Sequence, residues 1–171
     1  MSDREPFEKT HPHLREFKAF LDASNKESER GLVLICATML DDLLEQAILA
    51  FLLDHIETKR LLEGFNAPLG TLSARALAAF ALGIVSEAEY RECERLRKIR
   101  NVFAHNVHAS FEDQSIKDIR ANLEFSAKDY GNVRVGARGQ YATAATGLIL
   151  GLTNRPHYAA ERRLQYSGWK Y

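Results

Sequence analysis

Residues Ser86 to Asn106, SEAEYRECERLRKIRNVFAHN, constrain the fold more than any other stretch of the chain. Ser86 and Glu89 stand in S-x-x-E spacing ahead of a helical apolar pattern. In that arrangement the serine hydroxyl accepts from the third amide of the helix and the glutamate reaches back to the serine amide, so two free donors are satisfied together. At 100° per residue Leu96, Ile99, Phe103 and Val107 share one face, which predicts the side turned to the core. Glu94, Arg97, Lys98, Asn101, His105 and His108 gather on the other. Such a helix needs an apolar neighbour, and Glu29 to His55 predicts one. Cys36, Met39, Leu40, Leu43, Leu44, Ala47 and Phe51 form a wide apolar arc there, with Asp41, Asp42 and Glu45 opposite.

The remaining segments also read as helices. Leu14, Phe17, Ala19, Phe20 and Leu21 predict a short amphipathic helix, and another is expected around Thr58 to Phe65. Asn66-Ala67-Pro68-Leu69-Gly70 is a turn. Thr71 or Ser73 can cap a helix through Leu82, and Gly83 suits its C-terminal stop. Ser115 to Leu123 predicts one or two turns of helix. Asn132 to Gly139 predicts an irregular loop. Gln140 to Leu152 predicts a helix that ends before Pro156, with a last turn or two from His157 to Leu164. The expected fold is a single all-α domain spanning 1–171, a bundle of about six or seven helices. Residues 1–12 are expected to be a flexible N-terminal segment, and 165–171 an aromatic C-terminal tail.

Bulk properties narrow the functional classes. At 171 residues the chain is long enough to bury a core of its own. Lys+Arg and Asp+Glu both total 23, so no global field attracts nucleic acid and any such binding needs a local patch. The acids of the long apolar helix argue against a membrane span. Cys36 and Cys93 lack C-x-x-C spacing and read as reduced, buried thiols, which points to the cytoplasm. His11 with His13, and His105 with His108, have no third ligand at a convincing spacing, so no metal is expected. No cofactor is expected either, because nucleotide-binding and serine-hydrolase motifs are absent.

The end of the motif helix, Arg100-Asn101-Val102-Phe103-Ala104-His105, carries the candidate chemistry. A neutral histidine can remove a proton from a ribose 2′-hydroxyl, since its ordinary pKa of about 6.5 lies near working pH. An arginine donates a rigid fork of hydrogen bonds to phosphate, and Asn101 can orient either partner. Arg100 and His105 lie about 140° apart on a straight helix. Either the helix ends before His105 and lets it swing, or the two residues act across a dimer cleft. The plain alternative has Arg100 paired with Asp42 or Glu45 and His105 serving only the helix dipole. Arg91, Arg95 and Lys98 make a basic stripe diluted by Glu92 and Glu94, read as a solvated face. Arg97, Lys98, His108, Arg134 and Arg138 are further candidates for phosphate or partner contacts.

This R-x4-H ending resembles the HEPN superfamily, many of whose members are metal-independent RNases with two such motifs meeting across a homodimer. The resemblance implies a HEPN-like bundle and, as one reading, an endoribonuclease using Arg100, Asn101 and His105. A wider segment, Pro68 to His105, resembles the mannitol operon repressor family. It has the same succession of a P-L-G turn, an S-x-R helix, an A-L-G-I/V stop and a helix closing in R-x4-H. That resemblance implies a helical transcriptional regulator of a sugar operon that assembles as a homodimer or larger oligomer. No helix-turn-helix with a basic recognition helix is evident, so a protein partner is expected rather than direct reading of DNA. A non-catalytic HEPN scaffold is the third reading.

Overall fold

A computed structural model describes residues 15–169, and every regular element among them is helical. The expected flexible segment 1–12, Leu14 of the first helix, the His11 and His13 pair and the last two residues of the aromatic tail lie outside the described residues. The elements are α1 (Arg15–Ser24), α2 (Glu29–Phe51), the single turn α3 (Ile56–Lys59), α4 (Leu72–Ala81), α5 (Glu87–His105), α6 (Gln114–Arg120), α7 (Ala137–Thr153) and α8 (Arg155–Glu161). None is long and apolar enough to cross a membrane.

Helix α2 is the axis of the bundle and packs against α8, α4, α7 and α5. Its start is set by Ser28, whose side chain accepts from the Gly31 amide. Leu32, Val33, Cys36, Ala37, Leu40, Leu43, Leu44, Ala47 and Ile48 are buried along it. Each large aliphatic side chain removed from water in this way contributes about 1.5–3 kcal/mol. The helix stops at Phe51, short of the expected His55, because Leu52 is extended and its amide closes the last turn on the Ile48 carbonyl. His55 instead opens the next segment, where its Nδ1 accepts from the Glu57 amide. The helix expected around Thr58 to Phe65 is reduced to the turn α3 and further bends.

Local signals hold closely at α4 and α5. Thr71 caps α4 at the Ala74 amide, and Gly83 follows with φ +69°, the left-handed stop that glycine adopts without strain. Both hydrogen bonds of the Ser86–Glu89 capping box are present. From α5, Leu96, Ile99 and Phe103 enter the core. Phe103 packs edge-on against Phe111 at 5.1 Å, and Phe111 meets Tyr141 of α7 at 5.1 Å. Val107 was expected on this face but is 81% exposed, because the helix ends at His105 and the chain leaves its axis there.

The later helices begin or end differently from expectation by a few residues. Helix α7 starts at Ala137, inside the segment expected as loop, and the short helix α8 carries Pro156 in its first turn, where the missing amide matters least. One isolated antiparallel bridge, from Tyr130 ahead of the expected loop to Val133 within it, precedes α7. Cys36 and Cys93 are free and buried, and burial pushes both thiols up to about 12.

Candidate functional site

Helix α5 carries the motif residues, and α2 anchors its end. Arg30, from the first turn of α2, donates to the carbonyls of Phe103 and Asn106, the latter at 2.6 Å. A cation against the last carbonyls of a helix satisfies unpaired acceptors and complements the dipole. The Asn106 amide closes on Val102, and its side-chain oxygen accepts from the His108 amide at 3.0 Å. Glu29, next to Arg30, accepts from the Phe111 amide at 3.1 Å and holds the chain that follows. The turn beyond α5 is thus tied back to the start of α2.

His105 is the last residue of a continuous helix. The reading in which the helix ends earlier and releases His105 is therefore set aside. Arg100 and His105 keep their angular separation of about 140°, so one protomer does not bring them together. Arg100 and Asn101 are joined, with Nη1 donating to Oδ1 at 3.3 Å. His105 is exposed.

Arg100 does not pair with Asp42 or Glu45. Asp41 and Glu45 of α2 belong instead to Arg75, a buried residue of α4. Its guanidinium meets Asp41 Oδ2 at 2.9 Å and Glu45 Oε2 at 2.7 Å. It also donates to the carbonyls of Leu69 at 2.9 Å and Leu62 at 3.1 Å. A single arginine thereby pins the P-L-G turn and the bend before it to α2. Asp42, one residue away, faces solvent.

Between α2, the start of α4 and the outer side of α5 lies a cavity of about 370 Å³. Thr38 and Asp41 line it from α2, Thr71 and Ser73 from α4, and Arg100 and Asn101 from α5. Arg97 also borders it but is held by Glu94 through two bonds of 2.8 and 2.7 Å. The cavity gathers part of the expected constellation and leaves His105 outside.

The other candidates are scattered. Lys98 and His108 are exposed on the surface of α5 and the turn beyond it. Arg134 pairs with Asp129 at 2.7 Å, and hydrogen bonds from the Val135 amide and Arg134 hold that carboxyl below its ordinary value. Arg138 is not in a loop: it lies in the first turn of α7 and donates to the Ser24 carbonyl at 3.2 Å, joining α7 to α1. Among the described residues no group of three or more His, Cys, Asp or Glu is placed to hold a metal ion.

Two residues that matter to this helix escaped sequence reasoning. Glu92, read as part of a solvated face, is fully buried and accepts from the amides of Glu124 and Phe125, both at 3.0 Å. Arg95 completes the cluster by bridging Glu92 at 3.2 Å and Glu124 at 2.7 Å. Glu89 meets Arg155 of α8 at 2.6 Å. Burial acts to raise the Glu89 carboxyl, but bonds from the Ser86 amide, Arg155 and the Ser86 hydroxyl outweigh it and hold the group below its ordinary value. The S-x-x-E spacing flagged Glu89, whereas nothing local marks Glu92.

No family model and no curated protein matches this chain. Among solved structures, a chain of the X-ray structure of the MtlR–HPr complex from Escherichia coli matches with a TM-score of 0.58. It is 21% identical and covers 85% of this chain and 98% of its own. The chain has an MtlR-like fold. The all-α expectation therefore holds in both architecture and likeness, while the distance in sequence leaves function to be argued from the site.

Proposed function

We propose that this protein is a regulator of the mannitol-operon-repressor type that acts as a helical dimer through protein contacts. The observation that carries this reading is the fold shared with a protein solved in complex with the partner protein HPr. The succession of P-L-G turn, capped α4, glycine stop and capped α5 gives the sequence resemblance a structural counterpart. The surface supports a protein partner as well: Phe65 is 99% exposed, with Ile56 nearby in sequence and Leu77 on the outer side of α4 also open. Large apolar side chains left open to solvent are the residue type that protein interfaces cover. The motif end of α5 would then present a contact surface.

The test is association of the purified full chain with HPr, followed by interface-sensitive NMR, with light scattering for the dimer. Saturable binding by a dimer is expected. Absence of binding, or a monomer at working concentration, would count against this reading.

A metal-independent endoribonuclease remains the rival, favoured by one observation: Arg100 has no acidic partner among the described residues, and His105 is exposed on the same helix. Their separation within a protomer means that catalysis would need both copies. Cleavage of mixed single-stranded RNA in excess EDTA, lost in His105→Ala with the dimer intact, would replace the regulator by the nuclease. Intact RNA with both proteins would retire the nuclease.

A further inference from the structure

We infer that the cavity between α2, α4 and α5 is a binding site for a small hydroxylated anion, a phosphate or carboxylate carrying at least one hydroxyl. Its volume of about 370 Å³ lies in the range of small-molecule sites. Arg97 is neutralised by Glu94, and the nearby Arg75 is engaged by Asp41 and Glu45. Arg100 is then the cation on the cavity wall that has no acidic partner among the described residues. A guanidinium presents a planar fork suited to the oxygens of such an anion. Asn101 adds an amide donor beside it, its oxygen being the atom turned to Arg100.

Other residues of the lining supply hydroxyls. Thr71 and Ser73 border the cavity at the start of α4, and Thr38 borders it from α2. The Thr71 oxygen accepts from the Ala74 amide, which leaves its hydroxyl proton to donate elsewhere. Donors therefore converge on the cavity from α4 and α5.

Asp41 explains why a bare anion is a poor fit and a hydroxylated one a better fit. It borders the same cavity, and one of its oxygens is held by Arg75 while Oδ1 is buried with no hydrogen-bond partner among the described residues. A carboxylate oxygen only accepts, so it calls for a donor. The last torsion of aspartate is soft, so a small turn of the carboxylate is the movement by which Oδ1 would reach a ligand. A ligand hydroxyl can meet Asp41 while the charged end meets Arg100. A second anion against Asp41 would instead be repelled.

The cavity shares Arg100 and Asn101 with the motif end of α5, but an anion titration needs no protein partner, so it and HPr binding are read out and fail separately. The experiment titrates the full chain by NMR with glycerol 3-phosphate, inorganic phosphate and glycerol, reading the Asn101 side-chain amide and the amides of Leu72 and Ser73. Glycerol 3-phosphate is expected to shift them saturably and more tightly than phosphate, with glycerol silent. Arg100→Ala should weaken binding at least about tenfold, and Arg100→Lys should restore part of it. Arg134→Ala, which removes a remote exposed arginine, should leave it unchanged. Circular dichroism confirms that the variants are folded. Equal binding of phosphate and glycerol 3-phosphate would overturn the hydroxyl assignment. Shifts that are absent, unsaturable or indifferent to Arg100→Ala would overturn the site.

Discussion

The first half of α5 and its last two turns use their polar side chains in opposite ways. At the front, Ser86 and Glu89 close on each other, Glu89 takes Arg155 from α8, and Glu92 is buried against the chain beyond α6. At the back, Lys98, Arg100 and His105 face outward, and the end is held mainly by Arg30 reaching in from α2. One half is fastened to its surroundings by side chains that leave nothing for a ligand. The other is fastened through its backbone, which leaves its side chains open. Rigid support beneath unengaged polar groups is what a recognition surface needs.

The same contrast runs through the arginines on either side of Asp41, and it gives the largest expected effect. Arg75→Ala strands two partly buried carboxylates and two carbonyls, and should lower stability by about 3–5 kcal/mol in urea unfolding. Arg100→Ala should change it by less than about 0.5 kcal/mol, as for an ordinary surface substitution. A large loss for Arg100 would collapse the distinction between the two.

Glu92→Ala comes next. It leaves the Glu124 and Phe125 amides without an acceptor, and a loss of about 2–4 kcal/mol is expected. Hydrogen exchange should quicken first at those two amides. If it does not, the buried carboxylate is not what holds that segment.

The capping box predicts a smaller, pH-dependent term. Ser86→Ala should cost about 1 kcal/mol at neutral pH. The folded Glu89 carboxyl titrates below its ordinary value of 4.5, so its ionised form is favoured by folding. That stability is complete above the unfolded value and is lost as pH falls through the lower, folded one. Glu89→Gln should flatten the acid limb of the stability curve in that window. His105→Ala should have the least effect on stability, within about 0.5 kcal/mol by urea unfolding at neutral pH.

Legibility in the sequence follows the reach of each interaction. Thr71, Gly83, Ser86 and Glu89 act within a turn or two of themselves, so α4 and α5 could be drawn closely from spacing alone. The apolar arc of α2 was equally plain, although its end was not. Leu52 is extended for reasons that hydrophobic periodicity does not carry. Glu92 and Arg75 were hidden because their partners lie far along the chain, and a charge on a helix reads as wet until its acceptors are known. At the site, spacing offered Arg100, Asn101 and His105 as candidates, and the first two border one cavity. Spacing could not tell that Asp41 had already been taken by Arg75.

The Arg30 contact also orders events while the chain is being made. Arg30 precedes Phe103 by 73 residues, so the group that closes the end of α5 has already left the ribosome when that helix emerges. Arg155 follows Glu89 by 66 residues, so the front of the helix waits for that further length to be made. At about 5–20 residues per second that wait lasts several seconds. During it, the partner for the end of α5 is already made, while the partner for its capped beginning is not.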